Sequence, residues 1–233
     1  MNNVLLEAKN ISKKFNDRYV LNNVNLSVEK GHFITILGHS GSGKSTLLNI
    51  LSSILTTTEG EVLYDEARVS DFSERQLSKL RKEKIGFVFQ HYILLPNLTV
   101  KENILLGADN NPTDQEVEEL CDFLGIKRHL NSYPYTLSGG EQQRVCIARA
   151  VIKKPDILFC DEATGALDKE NSINIVSLLH RVKEKLGTTI LFTTHNQEIA
   201  KTANRVLVLE DGHIVKDYVN DVMVAPEDMA WGI

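Results

Sequence analysis

Cysteine is scarce in this sequence, and what there is does not pair. Cys121, Cys146 and Cys160 are odd in number and lack metal-type spacing, which excludes a disulfide framework and points to a reducing, cytosolic context. Long apolar runs are missing: nothing approaches the roughly 18 residues that would span a bilayer. The opening Met1-Asn2-Asn3-Val4 lacks the basic region and long apolar core of a secretory leader. The sequons at Asn10 and Asn97 therefore carry no expectation of glycosylation. Positive charge is not in excess either. A formal net charge of −5 argues against a broad nucleic-acid surface. Internal repeats and low-complexity linkers are absent. A role at a membrane would have to be served from the side, through a partner.

What is present is ordinary globular composition: 233 residues, 42% hydrophobic and 24% charged. The length suits one large α/β domain, or one domain with a small subdomain. "VNLSVEKGHFITIL" reads as strand, turn, strand, with Gly31 at the turn. A helix follows from Lys44 to about Ile54. "GEVLYD" is a short strand, "SERQLSKLRKEK" a polar surface helix, and "IGFVFQ" a strand ending at Gln90. From Val100 to Leu130 the pattern is helical. Thr113-x-x-Glu116 forms a capping box, and Leu120, Phe123 and Leu124 fall on one face. "EQQRVCIARAVI" and "SINIVSLLHRVKEKL" are further helices. "DILFC" and "TTILFTT" are strands, the first all apolar as in a buried parallel sheet. "RVLVLEDGHIVKDY" is a hairpin turning at Asp211-Gly212. Strands alternating with helices predict an α/β fold on a mainly parallel sheet.

Gly38-x-x-x-x-Gly43-Lys44-Ser45 lies between a strand and a helix start and fits the phosphate-loop pattern. Glycines let the backbone approach a ligand, and successive N–H groups at a helix N-terminus face an anion. Lys44 supplies charge for the β- and γ-phosphates, Ser45 a hydroxyl for Mg²⁺, and Thr46 support for the loop. "ILFCDE" delivers Asp161 and Glu162 to a sheet edge. One carboxylate suits Mg²⁺ and the other suits taking a proton from an attacking water. "LSGGEQQR", Leu137 to Arg144, places the N-cap residue Ser138 before two glycines and makes a second anion-binding helix start.

On these motifs the chain resembles the nucleotide-binding subunit of an ABC transporter from about Val4 to Tyr218, with "LSGGEQQR" standing as the signature. The resemblance implies one ABC ATPase domain over residues 1–233. That domain is a P-loop NTPase core with a mainly parallel sheet, an antiparallel β subdomain, an inserted α-helical signature subdomain near 92–150, and a short tail at 219–233. It implies ATP and Mg²⁺ as cofactors. Nucleotide contacts would come from Phe15, which stacks on adenine (Tyr19 being the weaker candidate), from Gly38, Ser40, Gly41, Ser42, Gly43, Lys44, Ser45 and Thr46, and from Ser138, Gly139, Gly140 and the D-loop Asp168. Catalysis would fall to Glu162 as base, His195 as γ-phosphate sensor, Gln90 and Lys44. Mg²⁺ would be organised by Ser45, Gln90 and Asp161. The partners implied are a second copy in a head-to-tail ATP sandwich and an integral membrane permease, on the cytoplasmic face of the membrane, with no nucleic acid. Ala163 departs from the family's usual proline after the catalytic glutamate and loosens the backbone there. Cys160 is expected to be a small buried strand residue rather than a redox switch.

"FQHYILLPNLTVKENILLG" and "CDEATGALD" resemble the macrolide-export, lipoprotein-release and peptide-resistance group. That implies a permease exporting or extracting hydrophobic or peptide-like molecules, with the apolar segment His91 to Leu98 lining the groove for its coupling helix or packing locally. Three other readings remain: a cell-division ATPase signalling through a permease-like partner, an importer subunit, and a soluble clamp on ribosomes or DNA. The sequence reports neither cargo nor direction.

Overall fold

The computed structural model describes residues 3–230, so Trp231 lies outside the described residues. An antiparallel sheet forms from β1 (Val4–Phe15), β2 (Arg18–Glu29), β4 (Glu59–Tyr64) and β5 (Ala67–Arg68), in the order β2-β1-β4-β5. A second sheet has the order β10-β9-β3-β8-β7-β6, built from β3 (Phe33–Leu37), β6 (Ile85–Val88), β7 (Ile157–Asp161), β8 (Thr189–Thr194), β9 (Arg205–Glu210) and β10 (His213–Val219). All its pairings are parallel except β9 with β10. The helices are α1 (Lys44–Leu51), α2 (Glu74–Glu83), α3 (Val100–Leu105), α4 (Asp114–Phe123), α5 (Gly139–Val151), α6 (Lys169–Leu186) and α7 (Gln197–Ala200).

Alternation along the parallel strands divides the core in two. Phe33, Leu158, Cys160, Ile190, Phe192 and Val206 pack with α5, α6 and the helical segment around α3 and α4. Ile34, Ile36, Phe159, Leu191, Leu207 and Leu209 pack against α1 and the antiparallel sheet. Both faces of the sheet are therefore covered, as parallel sheets require. Cys160 is fully buried, and desolvation pushes its thiol well above the ordinary range, which fits the inert strand residue expected.

Two helical expectations are corrected. α1 stops at Leu51, short of Ile54, because Ser52 caps it and Ser53 turns to φ 58°. On α4 the buried stripe is Val117 and Cys121, continued by Leu124 beyond its end. Leu120 and Phe123 sit half-buried at the rim, and the Phe123 ring carries the Lys185 ammonium at 4.1 Å and the Arg181 guanidinium at 4.8 Å. The i, i+4, i+7 spacing of Val117, Cys121 and Leu124 defines the inward face.

After β10 the chain folds back on its own domain. The Asn220 amide donates to the Ala200 and Ala203 carbonyls, Ser177 donates to Glu227, and Met229 is buried. Nearby, the His180 ring stacks on Phe33 at 4.3 Å, and its Nε2 lies 3.1 Å from the Thr202 hydroxyl. Burial lowers its pKa from 6.5 to about 4, with Lys183 adding to the shift and Glu227 opposing it. Between those values the unfolded chain binds the proton and the folded chain does not, so stability falls as pH drops below about 6.5. From pH 7 to pH 5 urea unfolding should show a loss of about 2 kcal/mol in the wild type that is absent in His180→Phe. Equal losses in the two proteins would contradict this.

Candidate active site

Register brings the carboxyl ends of the parallel strands to one edge: Leu37 lies opposite Thr194, Asp161 opposite Thr193, and Val88 opposite Cys160. The segments leaving that edge carry the predicted residues. After β3 the loop from Gly38 turns into α1, with Gly43 at φ 105°, a conformation that favours glycine. A Cβ on Gly38 would strike the Leu209 carbonyl and the Ser42 hydroxyl, so only glycine fits there.

Six of the seven α-helices among the described residues begin under a side-chain cap, from Ser73, Thr99, Thr113, Ser138, Asp168 and Asn196. Only α1 has none. The first N–H groups of a helix have no intrahelical acceptor, so the start of α1 presents donors to the loop. The Ser42 hydroxyl is buried there without a partner among the described residues. Lys44 is 4% exposed, and its ammonium donates to the Gly38 and His39 carbonyls at 2.9 Å each. Uncapped helix start, orphaned hydroxyl and buried ammonium together suit an anion of phosphate type. Ser40 and Gly41 lie exposed on the loop, while Ser45 and Thr46 occupy the first turn of α1.

Opposite the loop stands Glu162, with a left-handed φ of 43°. Its Oε1 is 3.2 Å from the Lys44 ammonium, and its Oε2 is 3.5 Å from the Gln90 amide and 4.0 Å from His195 Nδ1. Thr193, which the sequence reading did not single out, arranges the acid pair. Its buried hydroxyl donates to Asp161 Oδ1 at 2.7 Å and accepts from the Glu162 N–H at 3.0 Å. The Asp211-Gly212 turn, a plain hairpin turn by sequence, also reaches the site. Its Gly212 N–H donates to the Ser42 carbonyl at 3.1 Å, and its carbonyl accepts from Asn22 at 2.9 Å, tying β2 to the phosphate loop. Phe15, 45% exposed, closes β1 at the tip of the β1–β2 hairpin, with the Lys13 ammonium 5.1 Å from its ring. Further along the same hairpin, Val20 and Leu21 lie against Gly43. The Tyr19 hydroxyl is engaged with Glu59 at 3.1 Å.

Ser138, Gly139, Gly140 and Asp168 form a separate group. Asp168 caps α6 by accepting from the N–H and the side-chain amide of Asn171, both at 2.8 Å. The Asn171 side chain also abuts Gly140, and Tyr92 and Leu167 abut Gly139. Ser138 caps α5 in a reciprocal box with Glu141. Donors from Ser138 and Arg128 lower the Glu141 carboxyl to about 2, against the cost of its partial burial. No hydrogen bond or ion pair joins this group to Lys44, Gln90, Glu162 or His195 among the described residues.

Residues 21–165 match the ABC transporter family. The chain belongs to that family. This ABC chain is 42% identical over 216 residues to the lipoprotein-releasing system ATP-binding protein LolD of Aquifex aeolicus, covering 91% of the present chain and 96% of LolD. It is 42% identical over 218 residues to the macrolide export ATP-binding/permease protein MacB of Campylobacter jejuni, covering 91% of this chain but 34% of that one; it thus spans about a third of MacB. Its fold matches the dimeric post-hydrolysis structure of the ATP-binding cassette MJ0796 bound to ADP and Pi with a TM-score of 0.84 at 36% identity, over 94% of this chain and 100% of that one. The α/β class is therefore that of ABC cassettes.

If Thr193 arranges the acids, Thr193→Val should lower the kcat for nucleotide hydrolysis about tenfold by leaving the Glu162 N–H and the Asp161 carboxylate without their buried partner. Thr193→Ser should retain most of the rate. An unchanged rate in the valine variant, measured by phosphate release, would contradict that role.

Proposed function

We propose that this ABC chain is the ATP-hydrolysing subunit that closes head to tail with a second copy over two ATP molecules and drives a membrane permease, exporting or extracting a hydrophobic or peptide-like substrate. The observation that carries the pairing is the separation of two half-sites in one chain. The phosphate loop with Glu162 is one, and Ser138, Gly139, Gly140 and Asp168 are the other. Head-to-tail pairing lets each half complete its counterpart, and the dimeric relative supports that assembly.

Within this reading the uncapped start of α1 and Lys44 hold the β- and γ-phosphates. Phosphate oxygens compete with the Gly38 and His39 carbonyls and with Glu162 for the Lys44 ammonium. Once released from Lys44, the Glu162 carboxylate can accept a proton from water, while Gln90 and His195 flank it. Ser45, Gln90 and Asp161 would hold Mg²⁺, whose chemistry is to neutralise charge on the phosphates. Among the described residues no cluster of three or more His, Cys, Asp or Glu is present. A donor set with a single carboxylate, Asp161, suits an ion shared with substrate phosphates rather than an all-protein cage. Phe15 offers its ring to the base.

The permease side is assigned to the loop after Gln90. Ile93 and Leu95 are 57% and 47% exposed. The loop is fixed from behind: Arg149 donates to the Tyr92 and Ile93 carbonyls, and buried Asn103 bonds the Leu95, Leu98 and Thr99 carbonyls. A cleft of about 240 Å³ beside it is lined by Ile54 and Phe87 together with the cations Arg81, Arg149 and Lys153, which suits a coupling helix carrying both apolar and acidic side chains. No helix among the described residues is long and apolar enough to cross a membrane, so we assign membrane contact to the permease, at the cytoplasmic face. Residues 92–150 serve as the signature subdomain of a single ABC domain.

Two variants test the chemistry. Glu162→Gln should cut hydrolysis by roughly 10²–10⁴ and persist as a dimer with Mg-ATP on gel filtration; hydrolysis at the parent rate would sink the base assignment. Lys44→Ala should weaken ATP binding at least about tenfold by titration calorimetry. Undiminished affinity would overturn the phosphate-loop role.

A further inference from the structure

The proposed pairing puts a carboxylate where a phosphate must land. Glu141 occupies the third position of α5, within one turn of Ser138. A helix N-terminus favours an anion, but here Glu141 already takes that place. A second anion arriving at the same turn is repelled unless the first is compensated.

Glu141 is compensated from outside the helix. Its Oε2 accepts from the Ser138 N–H at 3.0 Å and the Ser138 hydroxyl at 2.9 Å. Its Oε1 accepts from Arg128 Nη2 at 2.9 Å and lies 2.8 Å from His129 Nε2. That imidazole nitrogen is also 2.8 Å from Arg128 Nε. It can donate to Glu141 or accept from Arg128, not both at once, so the guanidinium is the standing cation. Neighbouring cations are committed elsewhere: Lys127 pairs with Glu118 at 2.9 Å, and Arg144 donates to the Leu124 carbonyl at 2.8 Å.

We infer that Arg128 is a positioning residue for ATP recognition by the signature: by holding and neutralising the Glu141 carboxylate, it lets the start of α5 accept the terminal phosphate of ATP bound on the second copy. The inference rests on the head-to-tail pairing proposed above. It makes Glu141 and Arg128 a matched set. A neutral glutamine at 141 would keep an acceptor for the Ser138 N–H and remove the need for the cation.

The test uses the full chain carrying Glu162→Gln, in which ATP-driven dimers persist, and reads by light scattering the Mg-ATP concentration for half-dimerisation at about 0.1 M salt. Arg128→Ala should raise that concentration about tenfold with an unchanged melting temperature. Arg128→Lys should raise it less. Glu141→Gln added to Arg128→Ala should return it to within about twofold of the parent. Arg128 is largely exposed, with 77% of its side-chain surface open, so its removal leaves the core intact. No shift in Arg128→Ala would overturn the inference. So would a shift that survives Glu141→Gln, because it would make Arg128 a mechanical tether rather than a charge partner. Failure of the Glu162→Gln parent to dimerise with ATP would instead refute the pairing, and the inference would fall with it.

Discussion

The start of α1 has no cap of its own, and the rest of the site is arranged around that. Every other α-helix among the described residues opens under a serine, threonine, aspartate or asparagine side chain. α1 opens under Gly43, which offers only backbone. Leaving such donors unmet is costly where the loop is buried, as at Ser42, Gly43 and Lys44. The fold holds the arrangement from all sides: β3 feeds the loop, Leu209 presses on Gly38, Val20 and Leu21 press on Gly43, and Gly212 fastens Ser42. In the proposed function a phosphate supplies what the sequence withholds.

The same edge also positions the glutamate proposed as the base. Parallel pairing of β7 with β8 puts Asp161 beside Thr193, so a single buried hydroxyl orients one carboxylate and anchors the backbone of the next. Glu162 then meets Lys44 across the loop. In the proposed function the ammonium that would bind phosphate also engages the carboxylate that would activate water, so one group would link nucleotide binding to release of the base. Ser138, Gly139 and Gly140 stand apart on α5, braced by Tyr92, Leu167 and Asn171. Tyr92 lies in the loop that follows Gln90, which joins the proposed permease-facing segment to the signature through packed side chains.

Much of this was legible in the sequence because it is local. Gly38 to Ser45, the apolar strand ending at Asp161-Glu162 and the Ser138 cap each carry their chemistry within a few residues, and the alternation of strand and helix patterns gives the parallel sheet. Contacts that depend on register were not legible. Thr193 is one of four threonines in "TTILFTT", and only its place opposite Asp161 singles it out. Gly212 reads as a hairpin turn until β9 lies beside β3. On α4, Phe123 looks like core by hydropathy, yet the smaller Val117 and Cys121 take the inward stripe, and Phe123 remains at the rim under two cations. Arg128 carries no motif at all; its meaning comes from standing across from Glu141.

The central claim, that the uncapped start of α1 is completed by phosphate, is tested most directly by amide NMR of the deuterated full chain titrated with Mg-ATP. The account predicts that the N–H resonances of Gly41, Gly43, Lys44 and Ser45 show the largest downfield shifts, as hydrogen bonds to phosphate form. Binding that leaves these four amides unmoved while shifting others would contradict it.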